Sequence, residues 1–461
     1  MTPAPLRCVV SVSGLRGIVG ETMDPVTVLA LARACVVVMG NDRPLVIGRD
    51  SRPSGAMLAS ATVAGAMSEG ATVHDLGIVP TPTVPLAVTR LKAAGGIQIS
   101  ASHNPGEWNA LKFYGPGGRN VNQAQLDAIL AAYQNLDLER CQAATACGRL
   151  AMPPDALTWH LEAVLAAVDA QAIQARNYRV LIDCVNGAGA RLGPRLLAAL
   201  GCQVTALHAD PDLPFPRNPE PTANHLGQTC ALVAAADVDI AFVQDPDADR
   251  LAIIDGQGRY IGEEYTFALC AAARLAAARQ AGAKRPVACT NVSTSRLVDL
   301  MAAPIGAEVR RSPVGEAHVL DVMDASGAVI GGEGNGGVID PRVVCCRDSH
   351  VAMALVLEFM ARHDHSLESI IDSLPPCYMH KEKIVLDRQA VADAEPGLRA
   401  MPWAADAVCD TTDGIKLVWP DAWVHLRASG TEAVSRIIAE APTIDDARKL
   451  AARLRASLTD C

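Results

Sequence analysis

The sequence predicts an α/β chain of several domains in series, and three observations carry that reading. With 461 residues, half of them hydrophobic, the chain is too long for one core, so roughly three or four Ala-rich domains are expected. One strand–loop–helix–strand pattern occurs three times along the first two thirds. From about Pro375 the patterning changes to the apolar–polar alternation of an antiparallel sheet.

In order, residues 7–20 (RCVVSVSGLRGIVG) predict a strand running into a Gly-bracketed loop that carries Arg16, a guanidinium suited to phosphate. Pro25 to Met39 predict a buried helix. The first repeat is Pro44-LVIGRD, the SRPSG loop, an Ala-rich helix and a strand opened by Gly70-Ala-Thr-Val73. The second is Tyr178-RVLIDC, the VNGAGA loop, a helix through Leu200 and Gly201-Cys-Gln-Val204. The third is Pro286-VACTN, the VSTSR loop, a helix and Gly306-Ala-Glu-Val309. Each unit is expected to pack as a right-handed parallel crossover, and the shared Gly-x-x-Val exits favour duplication over three unrelated crossovers. Beyond Pro375, Lys381-EKIVLD reads as a strand and DGIKLVWPDAWVHLRASGTE as a hairpin ending in a loop. SRIIAEA reads as a further strand, and Thr443-x-x-Asp446 as the start of the last helix.

The segment that follows each repeat carries the chemistry, and one loop per domain points to a shared cleft. In GGIQISASHNPGEWNALKFYGPGG, Ser102 lies on a loop between two short strands, beside His103 and upstream of Lys112. A hydroxyl there is expected to be exposed and suits a nucleophile or phosphate carrier, although an SHNPG loop also suits a plain hairpin turn. In DVDIAFVQDPDADR, Asp245, Asp247 and Asp249 crowd one loop after an apolar strand, which a cation would relieve. A calcium EF-hand fails, because its required Gly and Glu positions hold Arg250 and Gly256. Mg²⁺ fits better, with phosphate oxygens completing its shell and Arg250 reaching the same phosphate. Glu333 and Asn335, on the Gly331-GEGNGGVID loop, suit sugar hydroxyls, and His318 lies upstream as a more ordinary structural histidine. In the last segment Arg427, Ser429, Gly430, Thr431 and Arg436 combine two guanidinia, two hydroxyls and Gly-permitted N–H groups, a phosphate cradle.

The formal net charge of −10 argues against broad binding to nucleic acid or anionic membranes. The N-terminal stretch lacks a signal-peptide apolar run, and no stretch is long enough to span a bilayer. The 14 cysteines are scattered without a C-x-x-C pair, which fits reduced, mostly buried thiols and a cytoplasmic location.

Taken together, SGLRG, SASHNP with NALKF, DPDADR, GEGNGG and RASGTE resemble, in this order, the loops of the α-D-phosphohexomutase superfamily. The resemblance covers essentially the whole chain. It implies three related mixed α/β sheet domains and a C-terminal α+β domain around a central cleft, divided at 1–152, 153–256, 257–372 and 373–461. It implies a phosphoserine at Ser102, Mg²⁺ held by that phosphate with Asp245, Asp247 and Asp249, and sugar selection by Glu333 and Asn335. Arg427, Ser429, Gly430, Thr431 and Arg436 would hold the non-reacting phosphate of the substrate. Arg16 would offset charge, and either His103 or Lys112 would move the proton. The expected partner is a small hexose phosphate, activated by a hexose 1,6-bisphosphate, with the chain a monomer or homodimer.

Many bacterial members resemble G-E-x-S-G-H where this chain has Asn335 and Gly337, a form similar to the archaeal-type phosphoglucosamine mutase branch. Ser100, Ala428 and Ala433 depart from commoner Thr and Pro residues and should alter loop stiffness rather than chemistry. Glucosamine phosphate is therefore the favoured substrate, with mannose and glucose phosphates as alternatives. A metal-dependent phosphatase and a silent sugar-phosphate binder rank below the mutase.

Overall fold

The computed structural model describes residues 3–363, 365–428 and 434–458. The chain packs as two compact units, residues 1–274 with 335–368 and residues 275–334 with 369–461.

In the first unit a mixed sheet runs Val9–Ser11, Gly14–Ile18, Trp108–Tyr114, Gly95–Ile99, Leu45–Arg49, Val73–Ile78, Leu150–Ala151. Its Leu45–Arg49 strand is parallel to both Val73–Ile78 and Gly95–Ile99, as the first repeat requires. Trp108–Tyr114 turns back antiparallel on Gly95–Ile99, so the stretch between them is a hairpin loop at the sheet's end. The helix Pro25–Met39 starts where Asp24 accepts from Thr27 N at 2.8 Å and a proline occupies the first turn, and it stops at Gly40, φ +86°. Its apolar face joins Leu58, Ile97 and Phe113 in one core. Arg16 corrects an expectation: it lies within the strand Gly14–Ile18, paired on both sides, and not on a loop.

The second repeat forms a sheet in the order Leu251–Asp255, Ile240–Gln244, Arg179–Asp183, Gln203–Leu207. Its first pair is antiparallel and the rest parallel. The Asp loop is the connection between Ile240–Gln244 and Leu251–Asp255. The helix Ser349–Arg362 also belongs to this unit, and every side chain from Ser349 to Met360 is buried.

In the second unit Val287–Asn291 is parallel to Glu308–Ser312 and to Ile330–Glu333, the third repeat. The C-terminal sheet is antiparallel: Tyr378–Ile384, Ser435–Ala441, Trp423–Ala428, Ile415–Val418, Val408–Asp410. Helix Ile444–Ser457 covers it, opened by Asp446 N donating to Thr443 Oγ at 3.1 Å. Among the described cysteines none forms a disulfide. Five are buried, two exposed and the others in between, so the thiols are less uniformly buried than expected. Among the described residues no helix is long and apolar enough to cross a membrane.

Candidate active site

The hairpin loop after Gly95–Ile99 carries Ser102 in left-handed backbone, φ +51°. For a residue with a Cβ that conformation costs about 1–2 kcal/mol, so the surroundings must impose it. They do so through Arg52, on the SRPSG loop of the first repeat. Its Nη2 donates to Ser102 O and Asn104 O, each at 2.6 Å, and its Nη1 to Pro105 O and Trp108 O. Its Nε donates to Asp50 Oδ2 at 3.0 Å, and both side chains are fully buried. Asp50 also accepts from Ser100 Oγ, which in turn accepts from Ser102 N at 2.9 Å. One buried guanidinium thus ties four carbonyls of the loop to one carboxylate. Ser102 itself is 1% exposed, which corrects the expected exposed hydroxyl: the loop folds inward onto the Asp cluster.

That inward turn sets Ser102 Oγ to donate to Asp245 Oδ2 at 2.7 Å. Asp245 Oδ1 accepts from the N–H groups of Asp249 and Arg250, closing the Asp loop on itself. Asp247 Oδ2 accepts from Lys112 Nζ and from Thr81 Oγ, each at 2.6 Å. Asp249 Oδ2 accepts from Arg347 Nη2 at 2.8 Å and lies 3.4 Å from Lys112 Nζ. All three carboxylates are buried, and each offers an oxygen within 4.8 Å of the others. The Oδ1 atoms of Asp247 and Asp249 are buried without a hydrogen-bond partner. Hard oxygen donors with unused buried lone pairs, converging at this distance, fit a Mg²⁺-type cation.

The electrostatics follow from this crowding. Burial, reinforced by Asp247 and Asp249, pushes Asp245 well above the usual carboxylate range. Burial works the same way on Asp247, but Lys112 overcomes it and holds Asp247 low. Burial alone would lower Lys112, yet Asp247 and Asp249 raise it, so its ammonium persists. His103 is held well below its ordinary value by burial and by Arg250 and Arg16, leaving a neutral ring with Nδ1 3.4 Å from Ser102 Oγ. Arg16 is lowered by burial and by the neighbouring cations Arg250 and Arg347. Three guanidinia gathered against like charge, with the Nε atoms of Arg16 and Arg250 buried and without a hydrogen-bond partner, although Arg250 Nε lies 3.7 Å from Asp249 Oδ1, describe a place for an anion.

Ser102, His103, Lys112, Arg16, Arg250 and the three aspartates therefore assemble within the first unit, which also contains Asn335, whose Oδ1 accepts from Gly337 N at 3.1 Å. Glu333 corrects an expectation: it ends the strand Ile330–Glu333, is 3% exposed, and accepts from Asn291 Nδ2 at 2.8 Å and Gly315 N at 3.2 Å. It is held by the second unit and does not sit on a flexible loop. Ser429, Gly430 and Thr431 lie outside the described residues. Arg427 and Arg436 are opposite each other on adjacent strands, and Lys383 is opposite Arg436 on the next. Arg427 Nε donates to Asp413 Oδ2 at 3.0 Å, so its charge is answered within the second unit. Arg52, Thr81 and Arg347 are further residues that sequence reasoning missed. The SRPSG loop was visible as a loop, but nothing local told its arginine's task.

The fold and this centre define a multidomain α/β protein with a buried serine hydroxyl set against a cluster of three aspartates suited to a cation. The chain matches the α/β/α domains I, II and III of phosphoglucomutase/phosphomannomutase over residues 9–140, 159–258 and 263–378. It matches that family's C-terminal domain over residues 381–457. It is 38% identical over 95% of each chain to a phosphoglucomutase/phosphomannomutase of Thermococcus kodakarensis. It is 31% identical to a phosphoglucosamine/phosphogalactosamine mutase of Sulfurisphaera tokodaii, over 96% of this chain and 97% of that one. A phosphoglucomutase/phosphomannomutase family protein from Burkholderia thailandensis shares its fold at TM-score 0.84 and 24% identity, over 100% of this chain and 98% of that chain. The chain belongs to the phosphoglucomutase/phosphomannomutase family of the α-D-phosphohexomutase superfamily, whose members are isomerases that transfer phosphate.

Proposed function

We propose that this protein is a Mg²⁺-dependent mutase that interconverts hexose 1-phosphate and hexose 6-phosphate, with glucosamine phosphate the favoured substrate. The observation that carries this reading is the 2.7 Å hydrogen bond from Ser102 Oγ to Asp245, which sets a nucleophile-type hydroxyl against three buried carboxylates. A phosphoryl group on Ser102 would meet Arg16, Arg250 and Arg347 on one side. Asp245, Asp247 and Asp249 would hold Mg²⁺, which when bound neutralises phosphate charge.

In the forward step the P–Oγ bond of phospho-Ser102 breaks and a P–O bond to the free sugar hydroxyl forms. The hydroxyl's proton passes to His103 and returns to Ser102 Oγ, leaving a bound 1,6-bisphosphate. After the bisphosphate turns over, Ser102 takes the other phosphate by the reverse step. His103 is favoured over Lys112 as the proton carrier on geometry: Lys112 is committed to Asp247 and Asp249, whereas His103 Nδ1 faces Ser102 Oγ. Free hexose 1,6-bisphosphate would reload a dephosphorylated Ser102 and so act as activator. Glu333, with Asn335, would accept sugar hydroxyls, and Arg427, Ser429, Gly430, Thr431 and Arg436 would receive the other phosphate.

The GEGNGG sequence supports glucosamine phosphate. The Thermococcus relative, named for glucose and mannose phosphates, supports those sugars as the second reading. Peptide mass spectrometry should find phosphate on Ser102, lost on adding hexose phosphate without bisphosphate, and a coupled assay should rank the sugars. A Ser102 that is unmodified and resists hexose 1,6-bisphosphate would overturn the mutase reading.

A further inference from the structure

Behind the Asp loop lies a second cluster, His160, Asp348 and His350, all completely buried and with no part in the chemistry above. Its hydrogen bonds form one continuous chain. Thr83 Oγ lies 2.9 Å from His160 Nδ1, and His160 Nε2 lies 2.8 Å from Asp348 Oδ2. His350 Nδ1 lies 3.1 Å from Asp348 Oδ1, and its Nε2 lies 3.5 Å from Gln244 Nε2. Gln244 Nε2 donates to Ser349 Oγ at 2.8 Å, and Ser349 Oγ donates to Ala248 O at 2.6 Å.

One set of protons satisfies the chain. Asp348 can only accept, so both imidazoles turn an N–H toward it. The Thr83 hydroxyl then donates to the remaining nitrogen of His160, and the amide of Gln244 points at the remaining nitrogen of His350. Ser349 has spent its proton on Ala248, so its oxygen accepts from Gln244. The three ligand-type residues thus satisfy one another without an ion, while Gln244 Oε1 stays buried without a hydrogen-bond partner.

The chain ends at the cation loop. Ala248 sits between Asp247 and Asp249 in left-handed backbone, φ +55°, a conformation an alanine does not choose unaided. Ser349 N also donates to Ala248 O, at 3.2 Å, so that peptide is held twice. Gln244 is the residue before Asp245. The other end is anchored on rigid structure: Asp348 caps the helix Ser349–Arg362, buried from Ser349 to Met360, accepting from His350 N at 2.9 Å.

We propose that Asp348, His160, His350, Gln244 and Ser349 are positioning residues, a buried brace that fixes the Asp245–Asp249 loop in its cation-binding shape. The proposal rests on the cation role of those aspartates. Outer partners of this kind alter metal affinity about 10- to 100-fold when removed.

The test is Mn²⁺ titration of the full-length protein, followed by electron paramagnetic resonance. Wild type should bind one Mn²⁺. Ser349→Ala, which deletes only the hydroxyl, and His160→Gln, which cuts the chain at its far end, should each weaken Mn²⁺ about tenfold. The KM for hexose phosphate should stay near wild type, the melting temperature in EDTA should show each variant still folded, and Ser349→Thr should recover affinity. Should Ser349→Ala fail to fold, His160→Gln and Ser349→Thr carry the result. Unchanged Mn²⁺ affinity in His160→Gln would overturn the brace. So would a second bound metal ion that His160→Gln removes, since the cluster would then be a metal site itself. A wild type that binds no Mn²⁺ would instead fault the cation reading of the aspartates.

Discussion

Arg52 Nη2 donates to the carbonyl oxygen of Ser102 at 2.6 Å, across 50 residues of sequence, and the same guanidinium lies on the buried carboxylate of Asp50. The reactive loop therefore owes its shape to a residue that does not face the cation site. Arg52→Ala should cost about 3–5 kcal/mol, because it strands a buried carboxylate and several carbonyls. Arg52→Lys keeps the charge but not the planar fork that reaches both pairs of carbonyls. It should leave a folded protein whose Ser102 is phosphorylated by hexose 1,6-bisphosphate much more slowly. Urea unfolding together with phosphopeptide quantitation reads both effects, and a wild-type phosphorylation rate in Arg52→Lys would refute the assignment.

Ser102→Ala should fold, since the side chain makes its strong bond to Asp245 alone, and should lower mutase turnover on the order of 10⁴-fold or more. The loop remains held by Arg52, so binding of hexose phosphate, measured by calorimetry, should persist. Retained turnover would remove Ser102 from the chemistry.

Short motifs made most of this centre legible. Three aspartates on one loop and a serine beside histidine announce themselves, because each needs only its own neighbours to be odd. The three repeats and the antiparallel end were legible for a similar reason, since strand and helix periods are local. Arg52, Thr81 and Arg347 were not, because each acts through partners dozens of residues away and none interrupts a local pattern. Ser102 looked exposed because polar hairpin loops usually are; its burial comes from the second repeat's Asp loop, which no local window contains. Glu333 read as a loop residue among glycines, but it ends a strand set by pairing with Val287–Asn291.

Lys112 is the countercharge for two carboxylates in a buried site. Lys112→Met should therefore lower stability by about 3–5 kcal/mol in EDTA, by leaving Asp247 and Asp249 short of positive charge. Added Mg²⁺ should restore part of the loss, because the cation supplies charge at the same oxygens. Thermal melts of wild type and variant with EDTA and with Mg²⁺ give the comparison. A variant as stable as wild type in EDTA would mean the lysine is not needed for charge balance.

In the second unit Lys416 donates to Val292 O at 2.6 Å and lies 3.9 Å from the ring centroid of Trp423. Burial, with Arg311 close by, lowers it from 10.5 to about 7, although Glu440, Asp410 and Asp299 pull the other way. The sign follows by linkage. Between the folded value near 7 and the unfolded value of 10.5, the unfolded chain holds a proton that the folded chain lacks, so stability gains with rising pH. Below that window both states are protonated, and the cost of burying the charge is present in full and constant. Lys416→Met has no such group. The stability of wild type minus that of Lys416→Met should thus be flat below pH 7 and climb between about 7 and 10.5. Paired denaturant melts at several pH values measure that difference. A flat difference across the whole range would mean that Lys416 keeps its proton, held by the carbonyl and the indole face against the desolvation that its burial imposes.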